Sequence, residues 1–354
     1  MHLDKASAFE LEVHHFIEDF TNTKASHVVV KTSGSTGDPK EILVSKHAML
    51  NSAKRTNDVL GLKSGDTAVL CLPLKYIAAK MIVVRSLERH LNLQILNPCA
   101  NPLKQIEHLN LKGSVLLAIT PHQLYEILSD LDSRRKLSQI SHVLVGGGSI
   151  PSAVESSLRS FDNKIYATYG MTETLSHIAL RLISGACAQR FFYTLPGVEV
   201  SQTELGCLVV RDELTFNDYL VTNDVVEFSE DGGFVVKGRV DNVVNSGGVK
   251  LQIEELESVL EKTVLEKNCV LTYVFDEKYG QALTLLYSLP LTELEVRNIC
   301  QTVLKGVELP KYYFKVEHIP STETGKIARL SAHKLAEQLK NIKCCEKRMN
   351  GLDM

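Results

Sequence analysis

Short runs of β-forming residues alternate with helical patterns between residue 28 and about residue 170, and this alternation constrains the fold more than any other feature of the chain. SVLLAIT, HVLVGGG and KIYATYG are examples of the strands, and patterns of helical period stand between them. Because strands joined through helices pair in parallel, the order predicts an α/β fold in which a mostly parallel sheet has helices on both faces. Ligands of such a sheet bind at the carboxyl ends of its strands.

Capping residues predict where several helices begin and end. Residues 45–61 predict a helix that begins at a serine cap and ends at Gly61. The stretch LKQIEHL, from residue 103, predicts another helix. A third is predicted to be capped by Ser152, with Glu155 three residues later completing a capping box.

The second half of the chain has a different pattern of predicted secondary structure. Short strands and turns follow between about residue 190 and residue 238, and Asp231-Gly232-Gly233 predicts a hairpin. An amphipathic helix and a compact α+β pattern continue from there to the C-terminus. We therefore expect a large domain of residues 1–238, made of the parallel sheet and a β-rich subdomain, and a small α+β domain of residues 239–354.

Charge and composition exclude several classes of partner. The 354 residues carry a net charge of −3 and 44% of them are hydrophobic, so nothing favours nucleic acid or an anionic membrane as a partner. No apolar run approaches membrane length and the N-terminus mixes acids, bases and histidines, so we expect a cytoplasmic protein without membrane insertion. The eight cysteines have no zinc spacing, and no protein metal site is expected beyond magnesium held with a nucleotide. Glu254, Glu255 and Glu257 are expected on an exposed helix face.

The segment TSGSTGDPK, residues 32–40, is rich in small hydrogen-bond donors. Glycines let backbone amides approach a ligand closely and hydroxyls add side-chain donors, so a chain of phosphates is the expected ligand. A Walker loop is excluded, because it requires G-x-x-x-x-G-K-[ST], whereas Pro39 follows Gly34 by five residues and Glu41 follows Lys40. The candidate phosphate-binding residues are Thr32, Ser33, Gly34, Ser35, Thr36, Gly37 and Lys40.

Three further loops carry residues suited to nucleotide chemistry. In YGMTET, residues 169–174, Glu173 is a candidate ligand of Mg²⁺ and Thr172 a candidate donor to a phosphate. Asp224 offers an acceptor for ribose hydroxyls and Arg239 offers a cation, while TETGKIAR places Lys326 beside a glycine. Each loop alone also fits a plain turn, a strand end, a strand-to-helix corner or a solvated loop. Their combination in one chain favours a single distributed site.

In this order the four loops resemble those of the adenylate-forming superfamily, which comprises acyl-CoA synthetases, adenylation domains and luciferases. The resemblance runs from Val28 to Arg329 and includes LPKYYFKVEHIPSTETGKIAR, which is similar to the family's approach to its catalytic lysine. LVGGGSIP and TYGMTETLSHIALR most resemble the o-succinylbenzoate-CoA ligases of menaquinone biosynthesis. The resemblance implies an ATP-dependent acid-thiol ligase that forms an acyl-adenylate and then an acyl-CoA thioester.

The family's chemistry implies a role for each matching residue. The substrate carboxylate attacks the α-phosphate of ATP and expels pyrophosphate, and the thiol of coenzyme A then displaces AMP. The resemblance implies that Lys326 stabilises the charge that develops in the first step, and that Glu173 holds Mg²⁺ with Thr172 beside it. The other nucleotide-binding residues that it implies are Gly147, Gly148, Ser149, Tyr169, Gly170, Met171, Asp224 and Arg239.

The second step implies a mobile small domain. In relatives this domain rotates between two active arrangements about an aspartate in the linker, which corresponds to Asp241. The segment NSGGVK then moves toward the thiol, so the resemblance places Gly247, Gly248 and Lys250 on the coenzyme A side.

This chain departs from the family pattern in three places. Less sequence precedes the glycine-rich loop than in relatives, so we expect a large domain that is shortened at its N-terminus. Lys75-Tyr76 stands where relatives often have Phe-His, and Asn223 replaces the glycine that often precedes the ribose-binding aspartate.

Arg85 is the main candidate for binding the acyl substrate. It shares a helical stripe with Ala78, Met81 and Ile82, and a charge on an apolar stripe is costly unless it is paired. One interpretation is that it binds a second substrate carboxylate, such as the one that o-succinylbenzoate retains. The alternative is a structural ion pair or an arginine that extends its charge to solvent. Further candidates are Lys75 and His177, followed by Lys80 and Arg181.

Three functions remain open at this point. The leading one is a ligase that makes o-succinylbenzoyl-CoA for menaquinone biosynthesis. The others are another aryl- or acyl-CoA ligase or an adenylation enzyme that loads a carrier protein, and a nucleotide-binding regulator without catalysis, against which Lys326 and Glu173 argue. The expected partners are a small carboxylic acid, ATP and coenzyme A, and homo-oligomer formation is left open.

Overall fold

The computed structural model describes residues 7–31, 41–107, 113–216, 218–266, 268–322 and 327–350, without the side chains of residues 31 and 344–350. Internal contacts divide the chain into two compact units, which we describe separately. The first unit consists of Met1–Ser201, Val209–Leu220 and Phe228–Val235, and the second of Gln202–Leu208, Val221–Glu227 and Val236–Met354. The domain boundary between residues 238 and 239 stays a prediction.

The first unit begins with a helix and a two-stranded hairpin. Ser7 caps the helix through a capping box with Glu10, in which each side chain accepts a hydrogen bond from the other residue's backbone N–H. The helix is α1 (Ala8–Thr21), and the antiparallel strands are β1 (His27–Lys31) and β2 (Glu41–Ser45).

A seven-stranded sheet forms the centre of the first unit. Its strands are β3 (Thr67–Leu70), β4 (Asn92–Ile95), β5 (Val115–Ile119), β6 (His142–Val145), β7 (Lys164–Gly170), β8 (His177–Leu182) and β9 (Tyr193–Thr194). Their order is β4-β3-β5-β6-β7-β8-β9, and the strands from β4 to β7 are parallel while β8 and β9 are antiparallel additions. Every residue of β3, β5 and β6 is buried, as expected for strands covered on both faces. The predicted α/β fold with a mostly parallel sheet is confirmed.

The helices of the first unit follow the predicted capping signals only in part. They are α2 (Lys46–Leu60), α3 (Ile77–Arg89), α4 (Pro121–Leu128), α5 (Leu131–Ser138) and α6 (Ser152–Ser157). Ser45 caps α2 and Gly61 ends it in the left-handed region at φ 67°, as predicted. The predicted cap at Ser152 is wrong, because Pro151 is the N-cap residue and Glu155 instead accepts two hydrogen bonds from Arg181 at 2.7 and 2.9 Å.

The helix predicted through residues 103–109 is also wrong for its described part, which forms only a 3₁₀ turn at Pro102–Gln105. The Gln105 side chain bonds the backbone N–H and C=O of Asn97, at 3.0 and 2.7 Å. These side-chain bonds hold the segment as a turn against the preceding loop, which competes with continuation of a helix.

The chain also forms a four-stranded sheet. Its strands, in spatial order, are β10 (Glu199–Gln202), β11 (Cys207–Arg211), β12 (Tyr219–Phe228) and β13 (Phe234–Arg239). The predicted turn lies between β12 and β13, where Ser229 N–H donates to the Gly233 carbonyl at 2.8 Å and Gly232 has a φ of 83°.

The second unit is built on a five-stranded sheet. It contains β14 (Val243–Ser246), β15 (Val249–Gln252), β16 (Cys269–Asp276), β17 (Gly280–Tyr287) and β18 (Tyr312–Lys315), together with α7 (Ile253–Leu260), α8 (Glu293–Val303) and α9 (Arg329–Asn350). Leu271, Leu283 and Val296 lie in its core with no exposed surface. Across the described part of the chain, no helix combines the length and apolar character needed to cross a membrane.

The exposed helix face expected in α7 is found at Glu255 but is wrong for Glu254, which is half-buried and accepts hydrogen bonds from Asn242 and Gln252, and for Glu257. The Glu257 side chain is 13% exposed and pairs with both Nη atoms of Arg329, at 2.8 and 2.5 Å. It also accepts a hydrogen bond from Leu271 N–H at 2.8 Å. Burial raises the pKa of Glu257, while Arg329 acts against that rise.

Candidate functional site

Two of the predicted nucleotide-binding loops lie at the carboxyl edge of neighbouring parallel strands. Val145 at the end of β6 is in register with Ala167 of β7. The segment with Gly147, Gly148 and Ser149 therefore emerges beside Tyr169. All three residues of that segment are exposed, and Gly147 has a φ of 86°, a conformation that only glycine adopts without strain. The structure thus brings these two loops together at the edge of the sheet where ligands of such folds bind.

Tyr169 itself lies at the base of this edge rather than on its open surface. Its side chain is 9% exposed, and its ring packs against the rings of Phe234 and Phe192 with centroids 5.2 and 6.0 Å apart. Packing against two aromatic rings therefore restrains the orientation of the Tyr169 ring.

The loop after β7 is a tight connection between two antiparallel strands. The Thr174 hydroxyl accepts from Met171 N–H at 2.9 Å and donates to the Ser176 carbonyl at 2.7 Å. Leu175 has a φ of 62°, which is strained for a leucine. A Cβ atom at Gly170 would lie 2.3 Å from the Ser176 carbonyl oxygen, so only glycine fits there. The strand-to-helix corner considered for this segment is therefore wrong.

This loop presents the two residues predicted to act on phosphate and metal. Thr172 is 8% exposed, whereas Glu173 is exposed to solvent. Among the described residues no group of three His, Cys, Asp or Glu side chains is arranged to hold a metal ion. A single accessible carboxylate fits Mg²⁺ that is held mainly by nucleotide phosphates and water, since Mg²⁺ prefers oxygen ligands and retains several waters.

Arg85 lies on α3 with its charge enclosed in the first unit. Its side chain is 2% exposed, and Nη2 donates to Ser176 Oγ at 2.5 Å and to Thr56 Oγ1 at 3.4 Å. Arg85 forms no salt bridge within the ranges that the structure describes. Burial lowers the pKa of its guanidinium to about 9, so the group is still charged at neutral pH.

The alternatives considered for Arg85 do not match this environment. An arginine that extends its charge to solvent is excluded by burial, and no structural ion pair is found in the described chain. The predicted stripe is also wrong at Ala78, which is exposed, whereas Met81 and Ile82 are buried with Arg85. Among the described residues, the hydrogen-bond partners of this buried cation are hydroxyl groups only.

His177 completes a polar cluster around Arg85. Its Nε2 lies 3.1 Å from Thr56 Oγ1 and its Nδ1 lies 3.3 Å from Ser176 Oγ. Burial, followed by the charges of Arg85 and Arg55, holds the pKa of His177 well below its usual value, so the ring is neutral. Sequence reasoning missed Thr56 and Ser176, because hydroxyl residues carry no signal until their neighbours are known.

The other candidates for substrate binding lie outside this cluster. Lys75 is exposed and stands 5.2 Å from the ring of Tyr76. Lys80 stands 4.7 Å from the ring of Phe16, and burial lowers its pKa. Arg181 pairs with Glu155.

In the second unit, three predicted residues form one charged cluster. Arg239 donates from Nη1 to Asp224 Oδ1 at 3.0 Å and from Nη2 to Asp241 Oδ2 at 2.8 Å. Although burial acts in the other direction, the hydrogen bond to Asp241 and the charge of Asp224 raise the pKa of Arg239. The structure therefore joins the predicted ribose-binding residues to the predicted hinge aspartate.

Asn223 also contacts this cluster, which sequence reasoning did not foresee. Its Nδ2 lies 2.9 and 3.1 Å from the two carboxylate oxygens of Asp241. The only sequence signal was its departure from the glycine of the family pattern. Gly247 and Gly248, at φ values of 60° and 86°, form the turn between β14 and β15, and Lys250 is exposed on β15.

Two predicted elements lie outside the described residues. They are the phosphate loop at 32–40 and Lys326. The flanks of both are described: Lys31 pairs with Glu41 between β1 and β2, and Ser321 forms an isolated bridge with Ile327.

Comparison with known proteins identifies the family. The model of the family described as AMP-binding enzyme matches residues 18–209, more than half of the chain. The chain belongs to the AMP-binding enzyme family. The predicted resemblance to adenylate-forming enzymes and the prediction of an AMP-forming ligase are thereby confirmed.

Relatives of this AMP-binding enzyme carry a common name. A 2-succinylbenzoate–CoA ligase from Bacillus cereus (strain Q1) is 24% identical over 352 residues, which is 92% of this chain and 73% of the relative. The protein of the same name from Bacillus mycoides (strain KBAB4) is 25% identical and covers the same shares of both chains.

Solved structures agree with the fold of this AMP-binding enzyme. The crystal structure of an acyl-CoA synthetase (AMP-forming)/AMP-acid ligase II-like protein from Dyadobacter fermentans DSM 18053 is 30% identical, covers 92% of this chain and 94% of its own, and has a TM-score of 0.62. An o-succinylbenzoate CoA synthetase from Bacillus subtilis, in complex with its acyl-adenylate intermediate, is 20% identical over 85% of this chain and 68% of its own, with a TM-score of 0.71. The second likeness supports the fold alone.

Proposed function

We propose that this AMP-forming ligase activates o-succinylbenzoate with ATP and transfers the acyl group to coenzyme A, in menaquinone biosynthesis. The observation that carries the proposal is Arg85, a buried cation whose guanidinium hydrogen-bonds only to hydroxyls within the described chain. A charge that has lost its hydration is costly without a counter-charge. The ring carboxylate of the substrate would provide that charge, and the names of the relatives support this choice of acid.

The acid is expected to react through its succinyl carboxylate and to bind through its ring carboxylate. Thr56, Ser176 and the neutral ring of His177 would orient the Arg85 guanidinium toward the ring carboxylate. A neutral histidine suits this role, because a second buried cation would repel the Arg85 guanidinium and add to the cost of burying charge. The bidentate geometry of arginine matches a planar carboxylate.

The nucleotide would occupy the loops predicted from the sequence. Gly147, Gly148 and Tyr169 are proposed to line the adenine site, and Thr172 to donate to a phosphate. Bound to Glu173 and to the nucleotide, Mg²⁺ would neutralise phosphate charge. Lys326 is proposed to stabilise the charge between carboxylate and α-phosphate, a kind of preorganised contact whose loss costs about 10²- to 10³-fold in rate.

The first experiment measures pyrophosphate release with ATP, Mg²⁺ and a panel of acids, with and without coenzyme A. The panel includes o-succinylbenzoate and 4-oxo-4-phenylbutanoate, which lacks only the ring carboxylate. We expect turnover with o-succinylbenzoate, sustained only when coenzyme A is present, and weak turnover with the analogue. Lys326→Ala protein, purified in parallel, controls for a contaminating ligase.

Other outcomes of this experiment distinguish the remaining functions. Equal turnover of both acids would contradict the role of the ring carboxylate and keep the ligase chemistry. A single burst without turnover on coenzyme A, relieved by a phosphopantetheinyl carrier protein, would identify a carrier-loading enzyme. Absence of pyrophosphate release with every acid would contradict the proposal. Cytoplasmic location and assembly into an oligomer stay predictions.

A further inference from the structure

A short connector links two sheets at the start of the second unit's main segment. Arg239 is the last residue of β13 in the four-stranded sheet, and Val243 is the first residue of β14 in the five-stranded sheet. Between them, Val240–Asn242 form a single 3₁₀ turn with Asp241 at its centre. A change in the angle between these two sheets therefore requires a change in the backbone torsion angles of this connector.

One side of the connector is held by the four-stranded sheet. Asn223 of β12 donates to both carboxylate oxygens of Asp241, at 2.9 and 3.1 Å. Arg239 donates to Asp241 at 2.8 Å and to Asp224 at 3.0 Å, which adds a second link to β12. These bonds fix the Asp241 side chain and restrain the torsions of its backbone.

The other side of the connector is held by the start of α7. Asn242 Nδ2 donates to Glu254 Oε1 at 2.5 Å. Gln252 Nε2 donates to the Arg239 carbonyl at 3.0 Å and to Glu254 Oε2 at 2.5 Å. The connector is therefore hydrogen-bonded to both sheets. The contact from Asn223 exists because this chain has asparagine where the family pattern often has glycine.

We propose that Asn223 is a positioning residue that holds the connector at Asp241 in the arrangement described here and so sets the balance between adenylation and thioester formation. The functional part rests on the proposed two-step ligase, whose steps require different angles at this connector. A glycine at position 223 has no donor for Asp241. An aspartate there has nearly the same shape as asparagine but places a second negative charge against Asp241.

The test compares Asn223→Gly and Asn223→Asp with wild-type protein in two separate assays. One measures pyrophosphate release in the first turnover, and the other measures thioester formation from supplied acyl-adenylate and coenzyme A. Because the lost hydrogen bonds reach a charged group at a partly exposed site, we expect the ratio of the two rates to change about threefold to tenfold. The ratio of the two rates should change more in Asn223→Asp than in Asn223→Gly, and in the same direction in both variants.

Val221→Gly is the matched control. Position 221 lies two residues earlier on β12, on the same face of the strand, and its side chain is 59% exposed. The control introduces the same glycine flexibility into the same strand without touching Asp241. We expect its rate ratio to equal that of wild type.

Hydrogen exchange gives a readout that does not depend on activity. The amides of residues 240–243 should exchange faster in both Asn223 variants than in wild type and in Val221→Gly, while amides of β16 and β17 should be unchanged. Unchanged exchange at the connector, or faster exchange with both half-reactions falling equally, would overturn the proposal. If the ligase assignment fails, wild-type protein will show no substrate-dependent pyrophosphate release. Hydrogen exchange at residues 240–243 then tests by itself whether Asn223 holds Asp241.

Discussion

Two buried arginines of the first unit have opposite surroundings. Arg55 on α2 is 7% exposed and meets Asp212 with two hydrogen bonds of 2.7 Å, and Thr215 and Leu214 N–H also donate to that carboxylate. Arg85 on α3 is 2% exposed, and within the described chain its guanidinium hydrogen-bonds only to hydroxyls. Asp212 supplies the counter-charge of Arg55 from within the fold, whereas none of the described carboxylates pairs with Arg85.

This difference separates a structural arginine from one suited to a ligand. Moving a charge out of water is costly, and a fold can offset that cost only with a partner in good geometry. Arg55 has its partner before any substrate arrives. Arg85 has no carboxylate partner among the described residues, so the substrate carboxylate proposed above would gain an interaction that those residues do not use.

The largest expected effect comes from breaking the structural pair. Asp212→Leu leaves Arg55 buried and uncompensated, so we expect the free energy of unfolding to fall by about 3–5 kcal/mol. Urea denaturation of variant and wild type measures this difference. The double variant Arg55→Met with Asp212→Leu is the control and should recover most of the loss. A loss below about 1 kcal/mol in the single variant would contradict the structural role.

The next effect concerns the unpaired arginine. Arg85→Leu should lower kcat/KM for o-succinylbenzoate by about 100-fold, because a buried charge contact with the substrate is lost. The same variant should leave 4-oxo-4-phenylbutanoate nearly unaffected and should not lower the free energy of unfolding. An equal loss with both acids, or a stability loss like that of Asp212→Leu, would remove the distinction between the two arginines.

The smallest expected effect is the loss of folding stability at low pH. Burial raises the pKa of Asp212, but the hydrogen bonds from Arg55 and Thr215 outweigh burial and hold that pKa below its usual 3.8. A depressed folded pKa gives stability that is complete above 3.8 and is lost as the pH falls through the lower folded value. Wild type should therefore lose more stability below pH 4 than Asp212→Asn, in chemical denaturation across pH. Equal slopes would show that the pair does not titrate as described.

The fold was predictable where local patterns and burial agree. Buried β-rich runs separated by helical periods specify a parallel sheet, and the glycines and polar residues after β6 and β7 lie at its carboxyl edge as the pattern predicts. A serine cap and a terminal glycine also fixed both ends of α2. Each of these patterns lies within a short stretch of sequence and acts through local backbone geometry, so no distant residue is needed to recognise it.

Prediction failed where a distant partner decides the outcome. Glu155 has the spacing of a capping box but binds Arg181, and Glu257 has the pattern of an exposed face but binds Arg329. Ion pairs between residues that are 26 or 72 positions apart do not affect the local hydrophobic periodicity, so the sequence pattern cannot indicate them. For the same reason the sequence identified Arg85 as unusual but did not reveal Ser176 or Thr56 beside it.

Gly170 limits how this enzyme can be redesigned. Its missing side chain lets the end of β7 pass against the Ser176 carbonyl, and the same serine holds Arg85. A library aimed at new acids should therefore leave codon 170 fixed and vary the side chains around Arg85. A side chain at position 170 would displace Ser176, and with it the hydrogen bond to Arg85 on which the proposed selectivity depends.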